Sequence, residues 1–317
     1  MKKNILLICL LSIGILAGGC KSNTGSRKEG LQGDLIIFHA GSLSLPMRAL
    51  ADSFNIKHPD LKIKPESAGS LTSIRKITEL GKECDILASA DASMIDKLMI
   101  PEHADFNLEF ATNEMVIAYK KGSTHSNMIT GKNWPGIIIK DNVILGRADP
   151  SSDPCGYRTI LSLKLAGKVY KDSTLVESII SKDTRYIRPK EVDLLALLET
   201  STVDYIFIYK SVAMQHGLEI IELGDSINLS NSLLSDFYRT VSVKVPGNSP
   251  DVKIEMKGEP MVYGITIPLN APNREAAIEF INFINSEGLP IIEKFHQSPI
   301  NPPQLSKLSK IPDWITK

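Results

Sequence analysis

The segment Ile36–Leu50, IIFHAGSLSLPMRAL, opens on an apolar run, turns through small polar residues and returns to apolar ones at helical spacing. Asp34–Phe38 reads as a short buried strand. Met47, Leu50, Ala51 and Phe54 then share one face of a helix that Pro59 lies beyond. A strand passing into a helix through glycine and serine is half of a βα unit, and the pattern recurs. LKIKPES (61–67), CDILASAD (84–91), NEMVIAYK (113–120), NVILG (142–146), DYIFIYKS (204–211) and PMVYGITIP (260–268) read as strands. LTSIRKITELG (71–81) and CGYRTILSLKLAG (155–167) read as helices closed by glycine. EVDLLALLET (191–200) is a further helix, and NREAAIEFINFINSEG (273–288) another with a glycine stop. Strand–helix alternation of this kind predicts an α/β fold with largely parallel sheets, DYIFIYKS being apolar enough to be buried on both faces.

The ends and composition narrow the function. Lys2 and Lys3 precede an apolar run ending in LAGGC, too short to span a bilayer comfortably but laid out as an export signal over 1–19. Cysteine after small residues resembles the lipobox of exported lipoproteins. Cys20 is then the lipidated new N-terminus and 20–33 a polar tether; a plain cleaved signal carrying a cysteine is the alternative. An extracytoplasmic protein held to the cell membrane by lipid follows. Acidic and basic side chains balance at 36 each and form no basic block, which argues against a nucleic-acid partner. Once Cys9 leaves with the signal and Cys20 is lipidated, Cys84 and Cys155 are left in a compartment that permits pairing, and pairing stays open.

Enzyme signatures are sparse. The 6 histidines are scattered, and neither a nucleophile elbow nor a phosphate-binding glycine loop is present. AGSLS has the look of a nucleophile turn, but no Asp/His partner order can be assigned to it, and His39 beside it is expected to satisfy the end of its strand. Three helix starts stand out instead: GSLSLP, with Ser42 and Ser44 ahead of Pro46; AGSLTS, with Ser70 at the N-cap; and SSDPCGY, with Asp153 at the N-cap and Pro154 at the first helical position. Each follows a strand, the edge at which open α/β sheets bind ligands. Each helix start carries free N–H groups and roughly +0.5 charge, so three together supply roughly +1.5, without a lysine. Serine hydroxyls donate to an anion's oxygens, and glycine lets the backbone approach. The pattern describes a reversible site for a small dianion.

HAGSLS, ESAGSLTSIRKI, CDILASADASMI, NEMVIAY, GRADPSSDPCGYRT, DYIFIYKSVAMQHG and PMVYGITIP resemble, in order from about Asp34 to about Pro303, the molybdate/tungstate-binding proteins of ABC importers. The likeness is greatest to their tungstate-binding WtpA branch. It implies a two-lobed periplasmic-binding-protein fold of type II, with the ligand cleft between lobes joined by two crossing segments. Lobe one is expected at 34–114 plus 262–317 and lobe two at 115–261. The family's binding positions fall on Gly41, Ser42, Ser70, Asp153, Pro154, Cys155, Glu191 and Tyr209. Asp153 and Glu191 are implied as bonds to the molybdenum or tungsten of the bound oxyanion. Two carboxylates facing a dianion cost several kcal/mol in a closed cleft unless the central metal widens its coordination shell, which sulfur in sulfate cannot do. Asp153 as a plain helix cap and Glu191 as a solvated acid are the competing reading, and Arg147 is expected to compensate the acidic cluster. The implied protein is a monomeric binding protein without cofactor, not an enzyme, that hands tungstate and/or molybdate to a membrane ABC permease. A receptor for sulfate or phosphate, or a surface hydrolase using Ser42, are the alternatives.

Overall fold

The computed structural model describes residues 30–247 and 251–315. The signal 1–19, Cys20 and most of the tether lie outside the described residues. In chain order the strands are β1 (Gly33–His39), β2 (Leu61–Ser67), β3 (Ile86–Ser89), β4 (Leu108–Thr112), β5 (Met115–Tyr119), β6 (Leu145–Ala148), β7 (Ile187–Arg188), β8 (Tyr205–Tyr209), β9 (Glu219–Glu222), β10 (Ser242–Pro246), β11 (Lys253–Lys257), β12 (Val262–Thr266) and β13 (Ser298–Leu305).

Two larger sheets, each flanked by helices, make a two-lobed α/β fold of type II, and β10 and β11 pair antiparallel as a separate two-stranded sheet. The first has the order β13-β4-β12-β3-β1-β2, the second β7-β6-β8-β5-β9. β1 pairs in parallel with β2 and β3, as βα units require, and β6 pairs in parallel with β7 and β8. The sheets are nonetheless mixed rather than largely parallel. β12 enters antiparallel between β3 and β4, and β5 runs antiparallel to β8 and β9. The reason is the path of the chain. It leaves the first sheet at β4, crosses through Asn113 and Glu114 into β5, and returns to the first sheet as β12.

Local sequence explains most elements. Leu35 and Ile37 of β1 are fully buried, as are all five residues of β8. On the Ser44–Lys57 helix, Met47, Leu50 and Phe54 face inward, and Phe54 meets Phe280 edge-on at 5.1 Å. Burying each such side chain contributes about 1.5–3 kcal/mol. Two glycines do not stop helices as their positions suggest. The Pro154–Tyr170 helix runs past Gly167 and ends at Lys171, whose φ of 57° supplies the left-handed cap. The Arg274–Phe283 helix passes through a π-turn at Ile284–Gly288 and continues as Leu289–Lys294. Gly288 serves packing there, since a Cβ would lie 2.8 Å from the Leu50 side chain. Cys84 and Cys155 are both buried and free, so the open pairing is not made. The Cys84 thiol donates instead to the Ile86 carbonyl at 3.0 Å, and burial pushes it up to about 12.

Candidate functional site

All three helix starts lie at C-terminal strand ends, but they use their polar residues differently. Gly41–Leu43 forms a 3-10 turn, and the α-helix begins at Ser44. Ser44 is spent locally, donating to the Gly41 carbonyl at 2.7 Å and lying 3.1 Å from the Ser67 hydroxyl. Ser42 is not: its hydroxyl oxygen accepts from the Tyr263 phenol at 3.0 Å, which leaves its own hydrogen to give. Gln297 holds the Ser42 carbonyl at 2.9 Å. Ser70 occupies the first helical position rather than the N-cap, which is Gly69. Its hydroxyl oxygen accepts from the Ala90 N–H at 3.0 Å, again leaving a hydrogen to donate. Both serines are buried and oriented as donors.

Asp153 is the N-cap of the Pro154–Tyr170 helix. Its carboxylate accepts from the Cys155 N–H at 2.7 Å, with Pro154 at the first helical position. The Cys155 thiol points to the Phe207 carbonyl at 3.7 Å, and burial and the neighbouring carboxylates push its pKa well up. That position therefore offers no thiolate, and its N–H is given to Asp153. Glu191, on the link between β7 and the Asp193–Glu199 helix, is not a solvated acid: it is 1% exposed. Neither of its carboxylate oxygens has a protein partner with hydrogen-bond geometry.

The lobes meet at these residues. A Cβ on Gly41 would stand 2.8 and 2.9 Å from the two Glu191 oxygens. A Cβ on Gly69 would stand 2.2 Å from the Ser152 carbonyl oxygen, next to Asp153. Burial, then the charge of Asp153, hold Glu191 well above the usual carboxylate range. Burial also raises Asp153, opposed by Glu191, the Cys155 N–H and Arg158.

Tyr209 lies at the end of β8, fully buried, with its ring 6.4 Å from that of Tyr263. Its hydroxyl accepts from Arg158 at 3.4 Å, and burial holds the phenol well above its usual range. Arg158 corrects the expectation placed on Arg147, which donates to the Ile180 carbonyl and feels Asp149 rather than the acidic pair. Arg158 sits in the DPCGYRT motif, so its signal was in view: it lies just over one helical turn beyond Asp153. Tyr263 and Asn113 also lie in quoted segments, PMVYGITIP and NEMVIAY, whereas Gln297 left no such sign. Asn113 donates to Ser211 at 2.7 Å and to Tyr263 at 2.9 Å where the chain crosses between the lobes.

Chemically, the assembly offers hydrogens from hydroxyls and helix starts, together with carboxylate oxygens lacking donors. That combination suits a ligand with electron-rich outer oxygens around an electron-poor centre. Among the described residues no group of three or more His, Cys, Asp and Glu gathers that could hold a metal ion by itself. The arrangement also gives Ser42 no base: its partner is a phenol, and the His39 ring nitrogen lies 2.8 Å from the Ala40 carbonyl. Burial lowers the His39 pKa.

Residues 35–296 match the family model described as bacterial extracellular solute-binding protein. A solute-binding protein of Petrotoga mobilis is 44% identical over 289 residues, 90% of each chain. The molybdate/tungstate-binding protein WtpA of Pyrococcus abyssi is 41% identical over 327 residues, covering 94% of this chain and 92% of that one. Among solved structures, the periplasmic molybdate-binding protein of Azotobacter vinelandii superposes with a TM-score of 0.59 at 14% identity, over 83% of this chain and 98% of the other. The sulfate-binding protein SubI of Mycobacterium tuberculosis also gives 0.59, at 9% identity, over 86% and 88%. At such identities the structural likeness is one of fold.

Proposed function

The chain belongs to the bacterial extracellular solute-binding proteins, a family of binders rather than enzymes, and from that premise we propose that its cargo is tungstate and/or molybdate. The observation that carries this reading is the buried pair Asp153 and Glu191, set beside two serines that each keep a hydroxyl hydrogen to donate. Sulfate or phosphate would meet the two carboxylates as repulsion. A metal oxyanion turns them into bonds, because molybdenum and tungsten accept further oxygen ligands. Ser42, Ser70 and the N–H groups around Gly41 would hold the oxo groups, Asp153 and Glu191 the metal, with Pro154, Cys155 and Tyr209 closing the wall.

In the fuller form of the proposal, lobe one spans 34–114 plus 262–317 and lobe two spans 115–261. The protein works as a monomer outside the cytoplasmic membrane, is tethered through lipid on Cys20, and delivers its anion to an ABC permease. The export layout of residues 1–20 and the extracellular family support this. Calorimetric titration of the purified protein with tungstate, molybdate, sulfate and phosphate tests the core of it. Binding of the first two with a wide margin over the others is expected. Silence toward both metal oxyanions would overturn the assignment. Asp153→Ala and Glu191→Ala should each narrow the margin over sulfate, and an unchanged margin would remove the carboxylates from the explanation.

A further inference from the structure

A second polar junction joins the lobes beside the proposed ligand contacts, and it centres on Asp91. This residue follows β3 and caps the Ala92–Leu98 helix, one carboxylate oxygen accepting from the Ser93 N–H and hydroxyl, both at 2.9 Å. The other oxygen accepts from the Tyr157 phenol and lies 3.3 Å from an Arg158 guanidinium nitrogen. Arg158 also donates to the Ala90 carbonyl at 2.6 Å and reaches the Tyr209 hydroxyl at 3.4 Å. Asp91 and Ala90 belong to the first sheet's lobe; Tyr157, Arg158 and Tyr209 belong to the second's. Both charged side chains are nearly buried, 12% exposed for Asp91 and 4% for Arg158.

The position of the junction gives it consequence. Tyr157 and Arg158 lie in the opening turns of the helix whose N-cap is Asp153. Gripping those turns sets where Asp153 stands relative to Ser70 and Gly69 on the other lobe. Asp91 makes a firm anchor because its remaining oxygen is fixed to its own helix. Separating such a pair leaves a charge with poorer partners, so any opening that breaks it is resisted.

We propose that Asp91 is a positioning residue: its junction with Tyr157 and Arg158 clamps the Asp153 helix to the first lobe and biases the ligand-free protein toward the closed form. The proposal needs only the two-lobed fold and does not depend on which anion is carried.

The test is Asp91→Asn, which keeps a good helix cap while removing the charge. Small-angle X-ray scattering of the ligand-free protein should give a larger radius of gyration than wild type. With tungstate as probe, dissociation should quicken by about ten- to a hundred-fold, the worth of a hydrogen bond to a charged group, while association changes less. Tyr157→Phe should act in the same direction, more weakly. The double variant Asp91→Asn/Arg158→Met separates clamping from folding. With neither member of the Asp91–Arg158 pair left charged, although Asp153 loses Arg158 as a neighbour, it should melt closer to wild type than Asp91→Asn does, yet stay expanded in scattering. Scattering curves of wild type and Asp91→Asn that superpose would overturn the proposal. So would a double variant whose radius of gyration recovers together with its melting temperature. Because the scattering is recorded without ligand, failure of tungstate to bind would count against the cargo assignment and leave this result readable.

Discussion

The tripeptide Ala-Gly-Ser occurs at 40–42 and again at 68–70, each time where a strand gives way to a helix. The two copies do the same chemical job by different local means. The first enters a 3-10 turn and has its serine oriented by a phenol from β12; the second starts an α-helix directly and has its serine oriented by a backbone N–H. What they face differs more. Gly41 looks onto the Glu191 carboxylate, at the end of a side chain that can swing, whereas Gly69 looks onto the Ser152 carbonyl, which is fixed in the backbone. One half of the cleft closes on something that can yield and the other on something that cannot.

The largest expected effect follows from that asymmetry. In Gly69→Ala the new Cβ would stand 2.2 Å from the Ser152 oxygen, so the lobes cannot reach the closed position. Tungstate affinity measured by calorimetry should fall by about a hundred-fold, as for other misplacements on the ångström scale. Gly41→Ala should cost only about ten-fold, because the Glu191 carboxylate can rotate away. Equal losses in the two variants would break the comparison.

The serines sharpen it. Ser42→Ala and Ser70→Ala each remove one donor to a charged ligand, a loss of about ten-fold or more in affinity. Ser70→Ala also strands the buried Ala90 N–H, so its ligand-free melting point should drop, by an amount matching about 1–3 kcal/mol. An unchanged melting point would mean that another acceptor serves Ala90.

The smallest effect is the pH dependence of ligand-free stability. Burial and the charge of Asp153 hold Glu191 well above its ordinary value of 4.5, and burial raises Asp153 above 3.8. A carboxyl raised on folding stabilises the protein fully below its unfolded pKa, and that contribution is lost as pH climbs through the folded value. Wild type should therefore lose melting temperature as pH rises from about 4, and Glu191→Gln should flatten the fall. Comparing the two isolates this pair from Asp85 and Glu109, which burial also raises. Parallel curves would show that Glu191 does not titrate on folding.

How much could be read in advance depended on the range of the interaction. β1, β8 and the helices at Ser44, Ser70 and Pro154 follow from apolar periodicity and capping residues within a dozen positions. β13 did not, since SPINPPQL carries three prolines; it is tolerated because it is an edge strand, paired only with β4. The antiparallel insertion of β12 was hidden for a related reason: pairing direction is decided by the returning chain, not by the strand's own residues. At the site, the glycines, serines and Asp153 announced themselves at helix starts, and Glu191 was visible through resemblance alone. Asp91 and Arg158 were in quoted motifs, but nothing local said that they meet.

By itself the sequence determined the strand–helix alternation, the donors at three helix starts, the export layout of its first residues and the absence of a basic block. Each of these is set by residues close together in the chain. Only the tertiary structure decided that Glu191 is buried against Gly41, that Ser152 blocks any side chain at Gly69, and that Arg158 rather than Arg147 sits beside the acidic groups. Those contacts join segments from separate lobes, and burial, which sets their charge states, is a property of the folded pair of lobes and of no single segment.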